Sequence, residues 1–171
     1  YRKLPCDDRM LPLGELREPK EGLSRADIVV VTKCPSDIKP IDINVVKKKL
    51  NLAKWQKVFF STYKYKDIAP VFSGETSYVP DLNWLVASDT ILVVTGIANP
   101  VPMVKYLKRF NAKVKVIHFS DHHNYSREDL NFIQKTFEYL PGERKFIVTT
   151  EKDAVRIINN AYFPHNLRKH M

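Results

Sequence analysis

The stretch "DTILVVTGIANPVPMVKYLKRFN", residues 89–111, decides the fold class of this chain. It opens with a short run of β-branched and apolar residues, which is typical of a strand buried on both faces of a sheet. Gly96 and the Asn99-Pro100 pair follow, and these residue types form turns and start helices. Apolar residues then recur at helical spacing. The stretch therefore predicts a strand, a turn and a helix, which together form the repeating unit of a parallel sheet.

The same alternation of strands and helices continues along most of the chain. Runs such as "DIVVVTK" and "KVKVIHF" predict strands, whereas "IDINVVKKKLNL" and "SREDLNFIQKTFEYL" have the spacing of helices. We therefore expect an α/β fold with a mainly parallel sheet flanked by helices. The further strands are expected at residues 27–33, 57–63, 113–119 and 144–150, and the further helices at residues 41–52, 126–140 and 151–158.

Helix ends are predicted from side chains that can bond free backbone groups. Ser126 and Asp129 form an S-x-x-D capping motif, and Thr149 or Thr150 is expected to cap the last helix. The remaining candidates are Asp42 or Asn44 at the start of the first helix and Asn111 at the end of the second.

Two regions are distinguished by composition. Residues 1–25 are rich in proline, glycine and charge and are predicted to be a loop segment, whereas residues 26–171 are predicted to form the α/β domain. The chain starts with Tyr1 rather than methionine. We therefore expect a fragment or a processed product whose partner half is missing.

The charge of the chain points to an anionic partner. Its 171 residues include 44% hydrophobic residues, enough for a packed core, and its formal net charge is +9. Such an excess of base suits nucleotides, nucleic acid, phosphorylated small molecules or an anionic membrane surface. A solvated basic surface explains it equally well. The sequence contains no apolar run long enough to span a membrane, and its two cysteines lack zinc-site spacing.

Polar clusters follow several of the expected strands. They are "TKCPSD", "TGIANP", "SDHHNY" and "TTEKD", and the carboxyl ends of parallel strands are where such folds bind ligands. Within "SDHHNY", Asp121, His122 and His123 allow three interpretations. These are an acid/base pair of carboxylate and imidazole, a metal site, and a polar loop with a structural aspartate.

Three further residues suit anion or metal chemistry. Lys152, at the start of the last helix, is placed to face a phosphate, although helix capping alone explains its acidic neighbours. In "LREP", Arg17 suits a phosphate or carboxylate, and Glu18 suits Mg²⁺ or a hydroxyl group. No G-x-x-x-x-G-K-[ST] motif and no G-x-G-x-x-G after a strand is present. If the protein handles ATP, the phosphate-binding loop is not in this chain.

Five motifs in order give the sequence a resemblance to a known family. "LPLGELREP", "RADIVVVTK", "TGIANP", "FSDHHNY" and "TTEKDAVRI" resemble the motifs of the tetraacyldisaccharide 4'-kinases of lipid A biosynthesis, from residue 11 to about residue 158. The resemblance covers only the carboxyl-terminal part of that family. It implies a P-loop-kinase-like fold that lacks the P-loop lobe, with residues 1–25 continuing from that missing amino-terminal lobe.

The resemblance implies an activity and a location. The intact protein is expected to be an ATP-dependent kinase that phosphorylates the 4'-hydroxyl of a tetraacyldisaccharide 1-phosphate, whereas the fragment alone is expected to be inactive. ATP and Mg²⁺ would both require the missing lobe. The expected setting is the cytoplasmic face of the inner membrane of a Gram-negative bacterium, with peripheral membrane contact and no nucleic-acid partner.

The resemblance also implies roles for individual residues. His122, with Asp121 beside it, matches the histidine that supports a catalytic aspartate of the other lobe. Glu18 is expected near the metal, and Arg17 and Lys152 are expected to bind substrate or phosphate.

Two other functions remain open from the residues alone. One is a non-enzymatic α/β module that binds an anionic ligand or nucleic acid, which the net charge favours. The other is a small metal hydrolase that uses Asp121 and the histidines. Four aromatic residues are expected in the core, with a membrane-facing role as the alternative: Trp55, Phe59, Phe60 and Trp84.

Overall fold

A computed structural model describes residues 3–75 and 80–171 of the chain. The chain divides into two compact units, Tyr1–Lys66 and Asp67–Met171, which we call the first and second units. Each unit contains its own parallel sheet, so the expected α/β class with parallel strands flanked by helices is confirmed. The strands are divided between two sheets rather than joined in one.

The first unit is built around a two-stranded parallel sheet. Its elements are β1 (Ile28–Cys34), α1 (Pro40–Leu50) and β2 (Lys57–Thr62). Two short 3-10 helices, Pro5–Asp7 and Lys20–Arg25, lie within the segment that was predicted to be a loop. The role of residues 1–25 as a continuation of another lobe stays a prediction. The buried apolar residues of this unit are Leu4, Val29, Val31, Cys34, Val46 and Leu50.

Side chains of the first sheet alternate between its two faces. Val29 and Val31 are buried, whereas Ile28, Val30 and Phe59 on the other face are exposed. Parallel sheets are ordinarily covered on both faces, so this apolar face is unusual for its class.

α1 begins earlier than predicted, and neither Asp42 nor Asn44 is its N-cap. Pro40 occupies the start of the helix, where its fixed φ suits the first turn and its missing N–H has no partner to lose. Lys39 is the N-cap and is extended, with ψ of 151°, as expected for a residue before proline.

The second unit holds a three-stranded parallel sheet in the order β4-β3-β5. Its strands are β3 (Thr90–Thr95), β4 (Lys113–His118) and β5 (Lys145–Val148), and its helices are α2 (Val101–Leu107), α3 (Arg127–Glu138), α4 (Glu151–Ile158) and α5 (His165–Arg168). β3 is the central strand and every one of its residues is buried. The main core contains Leu92 and Val94 of β3 together with Leu130, Ile133 and Ile157 of the helices.

Two details of the second unit differ from the predictions. α2 ends at Leu107 with Lys108 at its C-cap, so the prediction that Asn111 caps it is wrong. The amides of Arg109 and Phe110 bond carbonyls three residues back, and the chain leaves the helix through these tighter turns. α5 was not predicted, because four residues are too few for a periodic pattern.

The aromatic residues are less buried than expected. Trp55, Phe59 and Trp84 are exposed, so the expectation of core packing is wrong for these three, whereas Phe60 packs partly against the core of the first unit. Within residues 3–75 and 80–171, no helix combines the length and the apolarity needed to cross a bilayer.

Candidate functional site

The candidate site lies at the carboxyl edge of the second sheet. The loops after β3, β4 and β5 meet there, because parallel strands in register end side by side. The backbone N–H of His122 donates to the carbonyl of Gly96 at 3.0 Å, and the hydroxyl of Thr149 donates to the carbonyl of Val94 at 2.7 Å. The clusters "TGIANP", "SDHHNY" and "TTEKD" are therefore brought together.

Asp153 is the buried centre of this edge, with no exposed surface. Its Oδ2 accepts hydrogen bonds from the Thr95 hydroxyl (2.9 Å), the Gly96 backbone N–H (3.1 Å) and the Thr150 hydroxyl (2.8 Å). Such donors offset the cost of burying a carboxylate, and the other oxygen, Oδ1, forms no hydrogen bond among the described residues. Asp153 thus ties the end of β3 to the start of α4, and Thr150 is the predicted N-cap.

Arg156 connects this buried carboxylate to the histidine loop. Its Nη1 lies 3.6 Å from Oδ1 of Asp153, and its Nη2 lies 3.0 Å from Nδ1 of His122. Arg156 is not among the site residues predicted from the sequence. Its spacing of three residues from Asp153 places both on one face of α4, but nothing local indicates its partner in another loop.

His122 is fixed at its backbone and open at its side chain. Its φ is +61°, a left-handed conformation that is uncommon for a residue other than glycine. Its backbone N–H also lies 3.1 Å from Oδ1 of Asp121, and its imidazole is 69% exposed. Oδ2 of Asp121 lies 3.9 Å from Nε2 of the ring. His122 and Asp121 therefore sit together at the accessible rim of the sheet.

His123 has a different environment from its neighbour. Its Nε2 lies 2.8 Å from Oδ2 of Asp129, and its ring stacks on Phe119 at 4.6 Å between centroids. Asp129 also completes the predicted capping box with Ser126 at the start of α3. Burial tends to raise the pKa of Asp129, but hydrogen bonds from His123 and Ser126 outweigh it and hold that pKa below its usual range. His123 is thus part of the loop's internal structure.

Tyr125 and Gly96 close the inner side of the site. Burial raises the pKa of Tyr125, and the nearby charge of Asp153 raises it further. A Cβ on Gly96 would lie 3.1 Å from both the Cβ of His123 and the carbonyl oxygen of Ser120. A side chain at this position would crowd the histidine loop by a few tenths of an ångström, so glycine suits the close approach.

Lys152 lies in the first turn of α4 and is exposed. Within the described ranges its ammonium group forms no hydrogen bond or ion pair, and Thr150 and Asp153 account for the helix start without it. Its role toward phosphate stays a prediction.

Arg17 and Glu18 belong to the first unit, in the loop between the Met10–Leu16 bridge and the second 3-10 helix. Both are exposed, and the Glu18 carboxylate lies 3.8 Å from the guanidinium of Arg25. Their roles at a metal and a phosphate stay predictions.

The described residues do not assemble a metal site by themselves. In residues 3–75 and 80–171, no three histidine, cysteine, aspartate or glutamate side chains are grouped so as to hold an ion. Mg²⁺ prefers several oxygen ligands, so Glu18 would be one ligand among donors from elsewhere. The two histidines have separate partners, Arg156 for His122 and Asp129 for His123, and the metal hydrolase stays an untested alternative.

Comparison with known proteins points to one family. The profile described as "Tetraacyldisaccharide-1-P 4'-kinase" matches residues 2–168. The chain is 44% identical over 174 residues to a protein of Bacteroides thetaiotaomicron named "Tetraacyldisaccharide 4'-kinase", covering 98% of this chain and 46% of that relative. Proteins of the same name from Bacteroides fragilis and Parabacteroides distasonis are 45% and 38% identical, over 92% and 99% of this chain.

The match covers only part of each of these relatives. The chain spans 42% of the Bacteroides fragilis protein and 46% of the Parabacteroides distasonis protein, which is less than half of their length. No solved structure matches the chain.

Proposed function

Because the chain belongs to the tetraacyldisaccharide-1-P 4'-kinase family, we propose that it is the carboxyl-terminal part of an ATP-dependent lipid A kinase. The reaction is transfer of a phosphoryl group to the 4'-hydroxyl of a tetraacyldisaccharide 1-phosphate. The observation that carries the proposal is that the family match extends over residues 2–168, while the three motif loops of the second unit meet at one sheet edge with an exposed imidazole.

Two observations support a larger protein around this chain. The relatives are about twice as long as the matched segment. The first sheet has only two strands, and Ile28, Val30 and Phe59 leave one of its faces apolar and exposed. Such a small, half-covered parallel sheet is marginal by itself, and further polypeptide over that face would stabilise it.

Phosphoryl transfer depends on positioning and on charge stabilisation more than on covalent help from the protein. His122 and Asp121 are open at the sheet rim, and they act on the attacking hydroxyl or on the carboxylate that accepts its proton. Lys152 and Arg17 bind phosphate or substrate through charge. Glu18 would be this chain's ligand to Mg²⁺, which when bound with ATP would neutralise charge on the transferred phosphoryl group.

The proposed location is the cytoplasmic face of the inner membrane of a Gram-negative bacterium. The net charge of +9 favours contact with anionic headgroups, and exposed aromatic residues such as Trp55 and Trp84 suit the interface. The contact is peripheral, and the partner is the lipid disaccharide rather than nucleic acid.

The test of this function is a kinase assay on a longer protein that contains this segment. Replacement of His122 by alanine should lower kcat by about 100-fold or more, in the range for loss of a proton-transfer or positioning group. His165→Ala is the matched control, because His165 is an exposed histidine of the second unit outside the site. Equal turnover of the His122→Ala variant and the control, with both folded by circular dichroism, would remove His122 from the mechanism.

A second assay uses the 171-residue chain itself. We expect no ATP-dependent phosphorylation of the lipid disaccharide, because the sequence contains no phosphate-binding loop. Phosphorylation catalysed by the purified chain would show that the segment present only in the longer relatives is not needed for activity, and the proposal that ATP binding requires that segment would be wrong.

A further inference from the structure

The contact between Arg156 and His122 determines which ring nitrogen of the histidine carries a proton. Nη2 of Arg156 lies 3.0 Å from Nδ1 of His122. A guanidinium group has only donors and stays charged at all ordinary pH values. Nδ1 must therefore accept this hydrogen bond, and in a neutral imidazole the single ring proton is then on Nε2.

We propose that Arg156 is a positioning residue that fixes His122 in the Nε2–H form. As a role for catalysis, this rests on the function proposed above. Asp121 acts in the same direction, because its Oδ2 lies 3.9 Å from Nε2 and favours a proton there. Arg156 on one side of the imidazole and Asp121 on the other thus both select the same tautomer.

Both partners of this contact are held in place by buried structure. Asp153, which is fully buried and bonded to the end of β3, lies 3.6 Å from the guanidinium of Arg156. The Arg156 side chain is only 28% exposed. His122 is fixed by its backbone hydrogen bond to Gly96. The guanidinium is therefore held by buried structure, and the His122 ring reaches it from a fixed backbone.

The consequence concerns the direction of hydrogen bonding at the reaction site. With its proton on Nε2, the exposed nitrogen of His122 donates a hydrogen bond to an anionic oxygen. It cannot accept the proton of the substrate hydroxyl in that form. A carboxylate or phosphate oxygen is the kind of acceptor that such a donor binds.

The direct test is ring nitrogen NMR on the ¹⁵N-labelled 171-residue chain, at about pH 8, where an ordinary histidine is neutral. Long-range proton–nitrogen correlation spectra distinguish a protonated ring nitrogen from an unprotonated one, and a His122→Gln spectrum assigns the signals. We expect Nδ1 unprotonated and Nε2 protonated. A proton on Nδ1, or an even mixture of the two forms, would overturn the proposal without any variant of Arg156.

The Arg156→Met variant keeps most of the side-chain length and removes the donors. Its His122 signals should shift toward a mixture of tautomers, whereas Arg109→Met, which changes an exposed arginine on the turn after α2, should leave them unchanged. Unchanged β3 amide shifts serve as the check on folding. If a folded Arg156→Met variant has the same His122 tautomer as the wild type, a group other than Arg156 determines the tautomer and the proposal is wrong.

Kinetics on a longer protein that contains this segment separates this inference from the proposed function. Arg156→Met should lower kcat by about 10- to 100-fold, with a smaller change in KM. Arg156→Lys should restore little of this kcat, since a lysine ammonium lacks the planar array of donors of a guanidinium. If His122→Ala has no effect on turnover while NMR gives the Nε2–H form, the kinase role fails and the tautomer assignment stands. If His122→Ala is inactive and Arg156→Met is fully active, the positioning role of Arg156 fails.

Discussion

Replacement of Asp153 should destabilise the second unit more than any other single change at the sheet edge. Its Oδ2 accepts hydrogen bonds from Thr95, Gly96 and Thr150, and its Oδ1 lies 3.6 Å from Arg156. Alanine leaves the buried donors without an acceptor. We expect Asp153→Ala to lower the free energy of unfolding by about 3–5 kcal/mol, the range for removing one partner of a buried charged pair. That is a large part of the stability of an ordinary domain.

Asparagine separates the hydrogen bonds of Asp153 from its charge. Its amide oxygen can occupy the position of Oδ2 and accept the same bonds, whereas its NH2 group takes the place of Oδ1 and faces Arg156, which offers no acceptor. We expect Asp153→Asn to lower the free energy of unfolding by about 1–2 kcal/mol. The ranking of the two variants follows from the number of donors that each leaves unsatisfied.

The assay is urea denaturation followed by far-ultraviolet circular dichroism. Hydrogen exchange at the β3 amides assigns any loss to the second unit, because these residues are its central, fully buried strand. The matched control is Glu151→Ala, which removes an exposed carboxylate from the same helical turn and should change stability by less than about 0.5 kcal/mol. An Asp153→Ala variant no less stable than this control would refute the assignment of Asp153 as the centre of the site.

Three further predictions concern the packing of the second unit. The Arg144 hydrogen bond holds the pKa of buried Asp89 below its ordinary value of 3.8, so this pair stabilises the fold above that pH and the contribution is lost as the pH falls further. Arg144→Leu should therefore lower the free energy of unfolding by about 2–3 kcal/mol at neutral pH. In urea titrations below about pH 4, the difference in this free energy between variant and wild type should become smaller. A difference that does not change with pH would contradict this. Gly142 has a φ of +118°, and a Cβ on it would meet the carbonyl of Ser88. Gly142→Ala should therefore lower the free energy of unfolding by about 2–4 kcal/mol and lower Tm. An unchanged Tm would contradict this crowding. Leu130→Ala should lower the free energy of unfolding, measured by urea denaturation, by about 2–5 kcal/mol, because Leu130 is fully buried. A decrease of less than about 1 kcal/mol would contradict its place in the core.

The sequence predicted what depends on near neighbours. The alternating strands and helices, the capping box of Ser126 and Asp129, and the cap at Thr150 are confirmed, since each involves residues within a few positions of one another. The start of α1 was wrong although the information was local. Pro40 determines where α1 starts. Asp42 and Asn44 are residue types that often cap helices, but here both lie inside the helix.

The candidate site was predicted only in part. Its location at the carboxyl ends of the strands followed from the parallel class of the sheet. The family resemblance gave a role to His122 and none to His123, but it did not predict that one ring faces Arg156 and the other faces Asp129. The exposure of Trp55 and Trp84 could not be predicted either, since the sequence shows that a side chain is apolar but not whether it is buried in the fold.

The amino-acid sequence by itself determined the elements of this protein, because hydrophobic periodicity and helix capping act over a few residues. Only the tertiary structure decided which side chains meet at the sheet edge. Thr95 and Asp153 are 58 residues apart, and Arg156 and His122 are 34 apart. Contacts over such separations exist only after the strands have aligned in parallel, because that alignment brings the loops at their carboxyl ends within hydrogen-bonding distance.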